Sequence, residues 1–180
     1  MATSDHARGS GTGTARSEPD LLGIYLNDHL AGATGGIELV RRAARSQRGS
    51  GAGEVLERLT AEIVNDRVAL LDMMAALDVP VRRVKSYLAW VAEKVGRLKL
   101  NGYVLSRSPL SLLVELEALR LGVEGKAAAW RTLRELADHD RRLDAERLDE
   151  LLARARQQSD TLEELRVRMA NAIFNSRRSS

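Results

Sequence analysis

Two carboxylates spaced one helical turn apart, Glu62 and Asp66, are the side chains of this sequence with the most chemical potential. Such a pair can hold a metal ion or share a proton. It lies in the segment EVLERLTAEIVNDRVALLDMMAAL, where apolar residues recur every three to four positions. That spacing places both acids within or beside the stripe that should face a core. Two buried carboxylates are costly unless cations, hydrogen bonds or a metal compensate them.

The composition and periodicity predict that helices position this pair. Of the 180 residues, 44% are hydrophobic and only 3% are aromatic, and Ala, Leu, Arg and Glu dominate. These residue types favour helices over strands. The pattern predicts four long helices and one shorter helix, at about 18–46, 54–77, 81–98, 109–137 and 145–174.

Each long helix has an apolar stripe that we expect to face a shared core. In the first helix we assign Leu22, Tyr25, His29, Gly32, Gly36, Leu39 or Val40, and Ala43 to this stripe. The third long helix contributes Leu112, Leu116, Leu119, Val123, Ala127, Trp130 and Leu133 or Arg134, and the last contributes Leu148, Leu151, Ala155, Gln158, Leu162, Leu165, Met169 and Ile173. Glycine costs about 1 kcal/mol against alanine in a helix interior. Gly36, Gly122 and Gly125 therefore predict close approach of neighbouring helices.

The chain is long enough for one domain with a substantial core. We expect a disordered tail at 1–16, a helical domain at 17–174 and a disordered basic tail at 175–180. A crossover at 78–108 separates the second and third long helices, and a helix of 25 residues spans about 38 Å. The crossover can therefore return the chain to the opposite end. The predicted fold is an all-α four-helix bundle of two helical hairpins with a helix-containing crossover.

Several classes of protein and site are disfavoured by the composition. The chain contains no cysteine, which excludes disulfides and thiolate metal ligands. No segment has the run of about 18 apolar residues that a membrane span requires, and no signal peptide is visible. We therefore expect a cytoplasmic protein without membrane contact.

Three segments resemble an uncharacterised group of ferritin-like bundles from high-GC bacteria. They are LLGIYLNDHLAGATGGIELVRRA, LTAEIVNDRVALLDMMAAL and SPLSLLVELEALRLGVEGKAAAWRTL. The resemblance covers most of residues 18–174. It implies a ferritin-like bundle, in which di-iron proteins place one carboxylate on each of two helices and Glu-x-x-His on the other two.

The same resemblance implies a metal set made of Glu62, Asp66, Glu115 and His29, with Asp28 as the alternative to its neighbour His29. The set departs from the family pattern, because Asn65 stands where a histidine should follow Glu62 and Gln158 is the inward polar residue of the last helix. One alternative is therefore a divergent site for iron or manganese. A second, which we favour, is a core without metal in which these groups bond each other, water or an arginine such as Arg120. A third is that the stripe is rotated and some of the acids are solvated.

The predicted crossover is basic. Arg82, Arg83, Lys94 and Arg97 belong to it, and Glu93 is its one acid between 79 and 108. A basic patch can attract nucleic acid. Because interleaved aromatic residues and a base-reading motif are lacking, we favour the interpretation that the patch balances acids on the main bundle.

The sequence therefore predicts a structural or partner-binding bundle that lacks a complete di-iron site. The partner is another protein or a second copy of the chain, no cofactor is expected, and a non-enzymatic role is favoured. The alternatives are a carboxylate-bridged metal protein for oxidation or iron handling, and a DNA-associated bundle using the basic crossover. In a core without metal, repulsion between the two acids predicts that Asp66→Asn is neutral or stabilising.

Overall fold

The structure, a computed structural model, describes residues 20–82 and 109–175. These residues form helices and no strands, as the composition predicts. The helices are α1 (Leu21–Ser46), α2 (Gly51–Ala76), α3 (Pro109–Ala137) and α4 (Ala145–Asn175). The predicted tail at 1–16, residues 176–180 of the predicted tail at 175–180, and the crossover residues 83–108 with most of their predicted helix lie outside the described residues, while Asn175 is the last residue of α4. Among the described helices, none is long and apolar enough to cross a membrane.

Side-chain caps define the starts of α1 and α2. The backbone N–H of Gly23 donates to Asp20 Oδ1 at 2.8 Å, so α1 begins at Leu21 and not at the predicted Glu18. The hydroxyl of Ser50 accepts from the Gly53 N–H at 3.2 Å, which starts α2 at Gly51. A Cβ on Gly53 would lie 2.2 Å from the Gln47 carbonyl oxygen, so this tight turn requires glycine.

The end of α2 is tied to the start of α1 by the buried Asn27. Its amide nitrogen donates to the carbonyl oxygens of Gly23 at 2.7 Å and Pro80 at 3.1 Å. Its Oδ1 accepts from the backbone N–H of Arg82 at 2.6 Å. The chain therefore leaves α2 across the first turns of α1, with every polar group of this buried amide engaged.

The four helices pack as a bundle with a defined set of neighbours. Helix α1 packs against α2 and α3, and α4 packs against α3 and, at few close positions, against α2. Tyr25 contacts Thr132 at 3.2 Å, and Arg42 contacts Glu115 at 2.9 Å, so α1 and α3 run antiparallel. The short turn between α1 and α2 makes them antiparallel as well. Helices α2 and α3 therefore run in the same direction, and α3 begins at the bundle end opposite the end of α2.

The predicted stripes of three helices form the core. In the third long helix the predicted stripe is buried from Leu112 to Leu133, with Trp130 at 1% exposure. In the last helix it is buried from Leu148 to Leu165, with Gln158 at 0%, whereas Met169 and Ile173 are only half-buried. In α2, Leu59, Asp66, Ala69 and Met73 are buried, as is Leu77 directly after the helix, while Val55 and Glu62 are half-buried. The core therefore contains Asp66, while Glu62 lies at its edge.

Two predictions for the helix interiors were wrong. The first part of the α1 stripe is rotated, because Leu26, Leu30 and Ile37 are buried while Tyr25 and His29 are only half-buried. Its last part is correct, since Val40 and Ala43 are buried. The glycines do not mark close packing either. A Cβ added at Gly36, Gly122 or Gly125 would meet no described atom within 4 Å.

Candidate functional site

Three helices bring polar side chains together in the interior of the bundle. Helix α2 contributes Glu62 and Asp66, α3 contributes Lys126, and α4 contributes Arg154 and Gln158. We call these five residues the polar network. Both α2 and α4 place two of them four residues apart, so each pair occupies one helix face. Because α2 and α4 are antiparallel, the two pairs meet across the bundle.

Asp66 is the centre of the polar network and is 2% exposed. Its Oδ1 accepts from Arg154 Nε at 2.8 Å, and Arg154 Nη2 lies 2.6 Å from the same oxygen. This second contact is ionic, since its geometry does not make a hydrogen bond. Asp66 Oδ2 accepts a hydrogen bond from Lys126 Nζ at 2.5 Å. Both oxygens of the carboxylate are therefore neutralised by cations from two different helices.

Gln158 joins the remaining members of the polar network and is fully buried. Its Nε2 donates to Glu62 Oε2 at 3.0 Å and to Asp66 Oδ2 at 3.1 Å. Its Oε1 accepts from Lys126 Nζ at 2.5 Å. The amide nitrogen thus faces the two acids and the amide oxygen faces the ammonium group, which satisfies both ends of the side chain.

The formal charges of the polar network cancel, since two carboxylates face one lysine and one arginine. Burial lowers the pKa of Lys126, and the adjacent Asp66 carboxylate opposes this shift. Only 15% of the Lys126 side chain and 27% of the Arg154 side chain are exposed. Charge pairs that are this enclosed are more strongly coupled than surface pairs. The arrangement therefore compensates internally for the buried acid.

The two other residues of the predicted metal set do not join Glu62 and Asp66. Glu115 pairs with Arg42 Nε at 2.9 Å. Glu115 precedes Lys126 by eleven residues, so the two lie about 16 Å apart along the α3 axis. His29 makes an edge-to-face contact with Tyr25, the ring centroids lying 4.5 Å apart. Burial lowers the pKa of His29, and the Asp28 carboxylate opposes that shift.

The donor set around Asp66 does not fit a metal ion. Both of its oxygens already contact cationic groups, and Gln158 presents its oxygen to Lys126. Carboxylate, imidazole and carbonyl groups must converge on one point to ligate iron or manganese. Within 20–82 and 109–175, no three His, Asp or Glu side chains are grouped in a way that could hold an ion. The described part of the chain therefore supplies charge compensation around Asp66 and no ligand cluster.

The cations of the polar network were not predicted from the sequence. Arg120, the arginine suggested as a partner for the acids, instead contacts Glu163 at 3.4 Å. Lys126 and Arg154 each precede a buried stripe residue, Ala127 and Ala155. A long side chain beside the stripe can extend its charged end toward the core. Their position next to a buried stripe residue was the feature of the sequence that could have identified these two cations. A prediction that considers only the stripe residues themselves omits them.

A surface groove of about 410 Å³ lies between α2 and α4, beside the polar network. Apolar and polar side chains share its lining, which consists of Asn65, Val68, Ala69, Asp72, Met73, Ala76, Arg142, Asp144, Arg147 and Arg154. The groove follows from the small number of close approaches between these two helices. Arg154 links the two features, since it borders the groove and binds Asp66.

Two further polar segments are engaged in local contacts. Hydrogen bonds from Arg142 lower the pKa of Asp140 to about 2. Asp138 accepts a hydrogen bond from Arg134 Nη1 at 2.7 Å. Residues 138–140 therefore belong to a helix connection that is held by ion pairs at the surface. Arg82 of the predicted basic patch lies 3.7 Å from Asp20. Its predicted companions Arg83, Lys94 and Arg97 lie outside the described residues.

Comparisons of the chain with protein-family models, with curated proteins and with solved structures found no match.

Proposed function

We propose that this chain is a ferritin-like helical bundle with a structural or partner-binding role, in which Lys126 and Arg154 supply the positive charge that a metal ion would otherwise supply. One observation carries the proposal. The Lys126 ammonium group lies 2.5 Å from both Asp66 Oδ2 and Gln158 Oε1, and Arg154 covers the other Asp66 oxygen. The buried acid therefore needs no external cation.

The neighbour relations support the ferritin-like part of the proposal. Helix α1 lies beside α2 and α3, and α4 lies beside the same two helices. Helices α2 and α3 run in the same direction, and the backbones of these two described helices do not approach each other closely. A bundle that simply alternates up and down would place α2 beside α3 and antiparallel to it. A crossover between two hairpins produces the arrangement described here.

Metal analysis combined with thermal melts tests this proposal. The full chain is purified without chelator, its iron and manganese content is measured, and it is melted with and without each metal. A ligand that binds only the folded state raises the melting temperature. We expect substoichiometric metal and an unchanged melt, because Lys126 and Arg154 already occupy the Asp66 oxygens.

The control variant is Asp66→Asn, measured with the same metals. Stoichiometric metal in the wild type, with a metal-dependent rise in melting temperature that Asp66→Asn abolishes, would overturn the proposal. That result would favour the carboxylate-bridged metal protein, and Glu115→Gln and His29→Ala would then show whether those residues take part.

Light scattering tests the homo-oligomeric form of the partner-binding role. The molar mass of the chain is 19.8 kDa, so a dimer is readily distinguished from a monomer. A mass that rises with concentration supports self-association. A constant monomer mass across the accessible range leaves a different protein as the partner.

A further inference from the structure

The edge between α2 and α4 is the least closely packed side of the bundle. Helices α1 and α2 approach each other along much of their length, as do α3 and α4, whereas α2 and α4 approach closely at few positions. The groove of about 410 Å³ lies along this same edge. Apolar contact across the edge is therefore limited, since close approach of helix backbones is what buries side chains between helices.

The polar network crosses this edge. Asp66 of α2 binds Arg154 of α4, and Gln158 of α4 binds both acids of α2. Lys126 of α3 contacts Asp66 on one side and Gln158 on the other. Every contact to Asp66 and Glu62 in the polar network thus runs from the α1–α2 pair to the α3–α4 pair. The contact between Lys126 and Gln158 differs, since it joins α3 to its own hairpin partner α4.

The opposite edge, between α1 and α3, is held near both of its ends. Tyr25 contacts Thr132 at one end, and Arg42 contacts Glu115 at the other. Helices α1 and α3 also pack more closely than α2 and α4 do. The connection between α1 and α3 should therefore be more stable than the connection between α2 and α4. A relative movement of the two helix pairs is then easiest about the α1–α3 edge.

We infer that the polar network is a latch that closes the α2–α4 edge, and that the bundle opens there as two helix pairs hinged along α1 and α3. The latch is cooperative because its members share partners. Loss of the Asp66 charge leaves Lys126 and Arg154 without the carboxylate that contacts both of them, and Glu62, which contacts Gln158, is then the one anion of the polar network. Opening lets water reach these charges, while each helix pair keeps its own internal packing. The inference does not depend on a partner or a metal.

Distances between paired spin labels test the latch, and the natural absence of cysteine makes the labelling specific. Asn65→Cys with Gln157→Cys spans the α2–α4 edge, and both positions are exposed. The two cysteines are introduced into the wild type and into Asp66→Asn, and the distance between the two spin labels is measured by pulsed electron spin resonance. In the wild type we expect one narrow distance. In Asp66→Asn we expect an additional longer distance across this edge.

A matched label pair within one helix pair provides the control. Arg131→Cys with Ala153→Cys joins exposed positions of α3 and α4 that lie at the same level of the bundle. Its distance should be the same in the wild type and in Asp66→Asn. A merely structural contribution of Asp66 would loosen the whole bundle and broaden both distributions alike, which would overturn the inference.

A folded Asp66→Asn variant with an unchanged distance across α2 and α4 would also overturn it. Should Asp66→Asn fail to fold, Arg154→Gln replaces it, because this change removes one cation and leaves the Lys126 contact to Asp66. Arg154→Gln should then populate the longer distance to a smaller extent, and an unchanged distribution in that folded variant counts against the latch.

Discussion

Asp66→Asn reverses the stability effect expected from the sequence. Two neighbouring acids suggest that removal of one charge relieves repulsion, but the structure places two cations on Asp66. Asparagine has the shape of aspartate and no charge, and one of its two terminal atoms is a hydrogen-bond donor. That donor would face Lys126 or Arg154, both of which are donors themselves. We therefore expect Asp66→Asn to destabilise the protein.

The magnitude follows from the burial of the three groups. Removal of one partner from a buried ion pair costs about 3 to 5 kcal/mol, because the other charge stays buried without compensation. The cations here retain some contact with water, with 15% of the Lys126 side chain and 27% of the Arg154 side chain exposed. We therefore place the loss at about 2 to 4 kcal/mol, below the fully buried case. For a protein of this size, such a loss lowers the melting temperature by roughly 5 to 15 °C.

Urea denaturation followed by circular dichroism measures this loss, with Asp149→Asn as the matched control. Asp149 pairs with Arg134 at 3.2 Å, but 61% of its side chain is exposed. An exposed pair contributes about 0 to 1 kcal/mol, so the control should change little. The double variant with Lys126→Met measures the coupling between Asp66 and Lys126.

An Asp66→Asn protein as stable as the wild type, or more stable, would refute the reasoning. A loss equal to that of Asp149→Asn would refute it as well, because the enclosed pair would then behave as an exposed one. A double-variant cycle with no coupling would show that Lys126 does not compensate Asp66, whatever the single variants do.

Three further predictions test parts of the structure outside the polar network. Gly122→Ala and Gly125→Ala should each raise the free energy of unfolding by about 1 kcal/mol in urea titrations, because a Cβ meets no described atom there; a loss of stability would mean that the positions are packed. Asp140 should titrate with a pKa of about 2 by carboxyl NMR, and Arg142→Gln should move it toward 3.8, whereas an unmoved value would contradict the contact. Its lowered pKa favours the folded state above pH 3.8, and this contribution is lost as the pH falls through about 2. His29 should titrate below 6.5 in NMR, so that its contribution to stability is lost on acidification below that pH, and an ordinary or raised pKa would contradict its burial.

The sequence predicts the fold class and most of the core because α2, α3 and α4 each carry one unambiguous apolar stripe. Helix α1 carries two overlapping stripes, one through Tyr25 and His29 and one through Leu26 and Leu30. Small residues between 31 and 36 weaken the contrast between its faces. Periodicity alone could not choose between the two stripes, and the packing against α2 and α3 selects the second.

The polar network was predicted only in part, for a different physical reason. Asp66 and Gln158 have shorter side chains than lysine or arginine, so their helix positions largely determine that they point inward. Lys126 and Arg154 have long, flexible side chains that can lie along the surface or reach the interior. Their direction depends on where the buried acid lies in three dimensions. The charge conflict at Asp66 could therefore be recognised in the sequence, but the groups that resolve it could not.

A crystal structure of the full chain grown with manganese tests the central claim most directly, with anomalous diffraction used to locate the metal. The account predicts Lys126 Nζ in contact with Asp66 and Gln158, Arg154 on the other Asp66 oxygen, and no anomalous peak beside them. A manganese peak ligated by Glu62 and Asp66, with the Lys126 side chain turned away, would contradict it.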